Sequence, residues 1–216
     1  RTRDVLVRTR VKLINHVRGA VKATGDRLGK CSTRTFAEEA SGRIPEKLTE
    51  TLRPVLTAIE SISEQIRKLD RRLEELGRKK YPETRRLRQV TGVGPKVALG
   101  YVLTLQDPGR FATSRAVGPY LGLVPARRQS GDSDPQLRIT KEGDGLLRRL
   151  LVQSAQYVLG PFGPDSDLKR FGLELARRGG KNARRRAVVA VARKLAVLLH
   201  HLWRTGDDYD PTRGKA

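Results

Sequence analysis

Methionine is missing from this sequence, cysteine and tryptophan occur once each, and aromatic residues fill only 5% of its 216 positions. A lone cysteine, Cys31, closes no intramolecular disulfide, and no Cys/His pairs stand at zinc spacing, so neither a disulfide scaffold nor a zinc module is expected. Few aromatics leave little platform for stacking unpaired bases. Apolar stretches are short; Val188 to Ala192 runs straight into Arg193 and Lys194, and no leader-like segment opens the chain. No membrane partner follows, and the expected location is cytoplasmic. A sequence that starts at Arg1 and lacks methionine reads as a piece of a longer protein.

Acidic residues are scarce as well, 23 against 45 basic, which leaves a net charge of +22 and an isoelectric point near 11.1. Such a surface draws polyanions by releasing their counterions, so nucleic acid is the expected partner and the nucleoid the expected setting. Arginine supplies 32 of the 45 cations. Its planar fork pairs with phosphates and guanine edges, which favours specific contact over a merely adhesive tail. The apolar share of 37% suffices for one large or two small helical domains.

The expected fold class is mainly α: a long coiled-coil segment followed by a compact helical domain containing a helix-hairpin-helix. Residues 1–30 read as a basic helix, with Val7, Val11, Ile14, Val17 and Val21 at helical spacing and cations around them. Residues 31–84 form a coiled-coil region: Leu48, Leu52, Val55, Ile59, Ile62, Ile66, Leu69, Leu73 and Leu76 alternate steps of four and three. Pro54 is expected to kink or restart that helix. The seam can pair with a second chain, giving a homo-oligomer, or fold back on a neighbouring helix; pairing between chains is preferred. Residues 85–205 carry most of the excess charge, with helices over 95–105, 113–121, 144–159, 166–177 and 183–204. Residues 206–216 read as a flexible polar tail.

Two stretches carry candidate chemistry. Val90-Thr91-Gly92-Val93-Gly94-Pro95-Lys96-Val97-Ala98 resembles the turn of a helix-hairpin-helix: Gly92 and Gly94 permit a tight turn, Pro95 suits the first helical position, and Lys96 adds charge where backbone amides face an anion. A plain glycine-rich turn would show the same letters. The second stretch runs from Gly118 through Tyr120-Leu121-Gly122-Leu123-Val124-Pro125 to Arg127-Arg128-Gln129-Ser130-Gly131, then Arg138-Ile139-Thr140-Lys141 and a helix opened by Asp144 and carrying Arg148. A serine ringed by cations can attack a phosphodiester while arginines neutralise charge building on phosphorus. A loop serine is more often a turn or cap residue. His16, His200 and His201 lie far from Ser130 in sequence and read as surface or packing residues.

The succession Gly92-Val93-Gly94, Arg110-Phe111, Tyr120-Leu121-Gly122-Leu123-Val124-Pro125, Gln129-Ser130-Gly131, Ile139-Thr140-Lys141, Leu147-Arg148-Arg149-Leu150-Leu151 and Val191-Ala192-Arg193-Lys194-Leu195-Ala196 resembles the C-terminal transposase domain of the insertion sequence 110/116/902 family, relatives of the pilin-gene invertases. The resemblance covers about 85 to 210. It implies a DNA transposase or recombinase that forms a phosphoserine link to DNA, with the serine at Ser130. Arg127, Arg128, Arg138, Lys141 and Arg148 are candidate phosphate clamps, chosen by charge and nearness in sequence. It also implies duplex DNA, a guide RNA and an oligomeric assembly as partners. An N-terminal RuvC-like domain would carry Mg2+; in this chain no cofactor and no metal ligand are expected, because that domain is all but absent. The isolated chain is therefore expected to bind nucleic acid without cutting it. In two respects the sequence departs from the family pattern: Asp132 replaces the second glycine after the serine, and Ser133 offers a competing hydroxyl.

Other readings use the same residues differently. A non-catalytic helix-hairpin-helix module could bridge two duplexes through a coiled-coil dimer, in which case Ser130 is dispensable. An RNA-binding protein of the translation apparatus is suggested by charge alone, and the shortage of aromatics argues against it.

Overall fold

The computed structural model describes residues 1–130 and 137–212 and places nine α-helices among them: α1 (Thr2–Ala23), α2 (Phe36–Ser41), α3 (Glu46–Lys80), α4 (Glu83–Leu87), α5 (Pro95–Leu105), α6 (Val117–Tyr120), α7 (Gly145–Leu159), α8 (Asp167–Arg177) and α9 (Ala183–Thr205). Strand pairing among the described residues is confined to isolated bridges, such as Pro125 with Ile139. The fold is mainly α, as the sequence leads one to expect. The chain divides within α3 into two compact units, residues 1–72 and 73–216.

In the first unit the stripe Ile14, Val17 and Val21 of α1 buries against Leu52 and Ile59 of α3 and against Phe36 and Ala40 of α2. The Arg3 guanidinium pairs with Asp70 and Arg10 Nη1 donates to Ser63 Oγ at 3.2 Å, so α1 and α3 run antiparallel. Arg18 lies 5.5 Å from the centre of the Phe36 ring. Of the two heptad rows on α3, Leu52, Ile59 and Ile66 are buried, while Val55, Ile62, Leu69 and Leu76 are half-buried. Folding back on a neighbouring helix thus accounts for Leu52 and Ile59.

Pro54 does not break α3, contrary to the expectation from its ring. A proline deprives the carbonyl four residues back, that of Glu50, of its helical partner. Both residues lie on the exposed face, where the freed carbonyl is open to solvent, while Leu52 beside them is held in the core. The short α2 has no counterpart in the sequence reading; six residues are too few to show a period, and burial of Phe36 and Ala40 holds it in place.

The second unit is built around α9, whose Ala187, Val191, Ala192, Leu195, Ala196, Leu199 and Leu202 are buried against α4, α6, α7 and α8. Tyr101 of α5 reaches into this core, and its hydroxyl donates to the Ala196 carbonyl at 2.6 Å. Burial pushes the phenol well above its ordinary value. The expected helix over 113–121 is instead a 3-10 turn, Ser114–Ala116, followed by the four-residue α6, because Gly122 at φ 61° turns the chain away.

Residues 206–212 are not a loose tail. The Tyr209 amide donates to Gln89 Oε1 at 2.9 Å, Gln89 Nε2 donates to Asp208 Oδ1 at 2.9 Å, and the Asp167 amide donates to the Pro211 carbonyl at 3.0 Å. The Tyr209 ring packs on the core, and burial, with Asp167 alongside, raises its phenol to about 12. A polar composition concealed this, since one aromatic ring and a few backbone bonds suffice to dock a short segment.

Candidate functional site

Between α6 and α7 the chain leaves the helical body as a narrow antiparallel ribbon. The Ala126 amide donates to the Arg138 carbonyl at 2.9 Å, the Thr140 amide to Val124 at 3.0 Å and the Lys141 amide to Gly122 at 3.2 Å. The root of the ribbon is a crossing of two backbones. A Cβ on Gly122 would stand 2.3 Å from the Glu142 nitrogen, and one on Gly143 would stand 2.1 Å from the Tyr120 oxygen, so only glycine fits at either place. Both also have positive φ, which β-carbons disfavour. Arg148, at the start of α7, seals the crossing: its Nη1 donates to the Leu121 carbonyl at 2.9 Å and also to that of Glu142. Asp144 caps the same helix, accepting from the Leu147 amide at 2.8 Å.

Ser130 is exposed at the far end of the described part of the first arm. Arg127 and Arg128 precede it on that arm, and Arg138 and Lys141, also exposed, lie on the other. The ribbon therefore carries four of the sequence-predicted cations and the candidate serine, with Arg127 and Arg128 on the serine's own arm, Arg138 opposite Ala126 and Lys141 at the root opposite Gly122. Arg148 stands apart from them as a tie at the root, with its guanidinium turned to backbone carbonyls. Ser133, together with Gly131, Asp132 and Asp134, lies outside the described residues.

The second candidate stretch is placed elsewhere on the same unit. Leu87 ends α4, Val90 and Val93 bury under the turn, and Gly92 takes φ 83°. Gly94 precedes α5 in extended backbone, Pro95 opens the helix, and the Gly94 carbonyl accepts from the Val97 and Ala98 amides at 3.0 Å each. A Cβ on Gly92 would meet the Ser154 carbonyl at 3.0 Å and the Tyr157 ring at 3.4 Å, whereas one on Gly94 would meet nothing within 4 Å. The turn thus packs on the C-terminal half of α7 with Gly94 open to approach. Lys96 is half-buried. Gly92, Gly94 and Lys96 are not gathered with the ribbon cations: Arg148 and Tyr157 are nine positions apart on α7, roughly 14 Å of helix.

The histidines take no part in the ribbon. His200 is buried, with Nε2 3.0 Å from the Pro108 carbonyl and Nδ1 2.9 Å from Ser114 Oγ. A carbonyl only accepts, so Nε2 carries the proton and the Ser114 hydroxyl donates to Nδ1 in the neutral ring. Burial lowers the imidazole below its ordinary value, outweighing the Pro108 bond that raises it. Among the described residues no group of three or more His, Cys, Asp or Glu could hold a metal ion, and no helix is long and apolar enough to cross a membrane.

Sequence reasoning singled out Ser130 and the cations that the ribbon carries, as candidates, but not what shapes the ribbon. Gly122, Gly143 and Arg148 make the crossing, and the available signal was a pair of glycines bracketing the polar stretch that holds Ser130.

Comparison with known proteins places the same segment in a class. Residues 84–171, from α4 through the ribbon and α7 into α8, match a transposase family model. The matching model is that of the Transposase IS116/IS110/IS902 family. The chain is 30% identical over 215 residues to the transposase for insertion sequence element IS1111A of Coxiella burnetii, covering 96% of the chain and 58% of that relative. It is 31% identical over 160 residues to the transposase for insertion sequence element IS1328 of Yersinia enterocolitica, covering 72% of the chain and 47% of that relative. The chain thus spans about half the length of these curated relatives.

Proposed function

We propose that this chain is the DNA-binding and serine-bearing portion of a DNA transposase, acting in the transposition of an insertion sequence. One observation carries the reading: within the segment that matches a transposase family, an exposed serine stands at the far end of the described part of one arm of a cation-bearing ribbon whose root admits only glycine. The Ser130 hydroxyl oxygen attacks a backbone phosphorus. An O–P bond forms to the serine, the ester bond to one deoxyribose oxygen breaks, and the hydroxyl proton ends on that leaving oxygen. The product is a phosphoserine intermediate, and attack by a DNA hydroxyl reverses the step. Arg127, Arg128, Arg138 and Lys141 offset the charge that develops on phosphorus. Ser133 is the competing nucleophile.

The α4–α5 turn serves as a helix-hairpin-helix that holds duplex backbone at Gly92, Gly94 and Lys96, without reading bases. This reading assigns no Mg2+ site to the chain; among the described residues no group of three or more His, Cys, Asp or Glu could hold a metal ion. The metal belongs with a RuvC-like domain of a longer protein, and without that domain the chain binds DNA but does not cut it. A guide RNA shares the positive surface, and the half-buried row Val55, Ile62, Leu69 and Leu76 of α3 offers a seam for a homo-oligomer. The complex works at the nucleoid.

The test is a search for covalent protein–DNA adducts on denaturing gels, using the full-length protein with element-end DNA and its RNA. An adduct that disappears in Ser130→Ala is the expected result, and one indifferent to that change moves the nucleophile to Ser133 or elsewhere. Absence of any adduct with DNA binding intact would sink the nucleophile reading in favour of a non-catalytic bridging module.

A further inference from the structure

A second group of cations stands beside the C-terminal part of α7, the end of that helix on which the Gly92 turn also packs. An open cleft of about 590 Å³ separates the C-terminal part of α7 from the beginning of α9, and its polar lining includes Gln156, Lys181, Arg184 and Arg185, with Asn182 beside them. All four are exposed, and Lys181, Arg184 and Arg185 make no ion pair within the described residues. Their neighbour Arg186 is used differently, donating to the Gly179 carbonyl at 3.4 Å. No acidic residue occupies the first turn of α9, so the positive end of a 23-residue helix adds to the three side chains. Leu159 and Val188 form the apolar part of the wall, and no aromatic side chain lines the cleft.

We propose that this cleft seats a backbone phosphate of duplex DNA, held by Lys181, Arg184 and Arg185, as a contact additional to those of the ribbon and the turn. Three cations lining one cleft without an internal carboxylate are unbalanced until an anion arrives. Guanidinium and ammonium groups suit phosphate oxygens. Without an aromatic platform the cleft has nothing on which an unpaired base would stack, which favours the duplex over a single strand. The contact is with backbone and carries no base preference. The inference rests on the reading of the chain as DNA-binding.

The experiment measures binding of the whole chain to duplex DNA across a salt series, comparing Lys181→Gln/Arg184→Gln/Arg185→Gln with Arg53→Gln/Lys68→Gln/Arg78→Gln. The second variant removes the same charge from exposed positions on α3 and controls for general attraction. The cleft variant is expected to lose ~10-fold in affinity and to bind with a salt slope shallower by about 2, whereas the control changes less than about 3-fold. Unchanged circular dichroism and melting temperature show that both variants are folded. Equal losses in the two variants overturn the cleft while leaving the DNA-binding reading intact; no binding by the wild-type chain overturns both. Loss confined to a structured RNA hairpin, with duplex DNA unaffected, also overturns the proposal and assigns the cleft to RNA.

Discussion

Tyr120 and Gly143 meet where the ribbon leaves the helical body: the Tyr120 carbonyl oxygen occupies the space in which a β-carbon on residue 143 would stand, 2.1 Å away. Neither partner can retreat cheaply, because the obstruction is backbone and the φ of 69° is already unfavourable for other residues. Gly143→Ala is expected to destabilise the second unit by about 2–4 kcal/mol, read as a lower melting temperature. An alanine tolerated within about 0.5 kcal/mol would mean that the two backbones do not cross as described.

His200 makes stability depend on pH with a definite sign. Burial lowers the folded imidazole below its ordinary 6.5, with Arg204 and His201 acting in the same direction. As pH falls the unfolded chain takes up the proton first, so the contribution is complete above the unfolded value and is lost progressively as pH drops from there to the lowered folded one. Melting temperature should therefore fall on the acid side of about pH 6.5, and His200→Gln should flatten that limb. A melting curve of identical pH dependence in the variant would remove His200 as its cause.

Tyr101→Phe removes a buried hydroxyl that donates to Ala196 at 2.6 Å and leaves the ring in place. The expected loss is about 0.5–1.5 kcal/mol by denaturant unfolding. A larger loss would imply that the hydroxyl supports more than one carbonyl.

Pro54 is an internal helix proline on an exposed face, so its cost to α3 is not offset by packing of its own. Pro54→Ala restores an amide donor to Glu50 but makes the unfolded chain more flexible. The balance predicts a gain of about 1–3 kcal/mol in the stability of the first unit. A loss of stability on this substitution would show that the ring makes a contact that exposure conceals.

How much of this was legible beforehand depended on the range of the interaction. Helical period and local caps are written in neighbouring residues, which is why α5 begins at Pro95 and α7 begins after Asp144 as the sequence indicates. The serine and its cations were visible because they lie within one short stretch. Long-range partners were not: nothing near Arg148 indicates that it would bind Leu121, and nothing in the polar stretch after Thr205 indicates that Tyr209 would dock beside Gln89. Nothing in the sequence around Lys181, Arg184 and Arg185 indicates a cleft; the position of α7 makes them its wall.

Helix α7 has a further consequence as a ruler. Its first turn holds the ribbon's root through Arg148, and its last turns carry the Gly92 turn beside Tyr157. That separation of roughly 14 Å is close to the length of four base pairs along a duplex. A helix neither stretches nor slips, so a DNA gripped at one end would arrive at the other with its phase already chosen. Lengthening α7 by one residue would rotate that phase by about 100°.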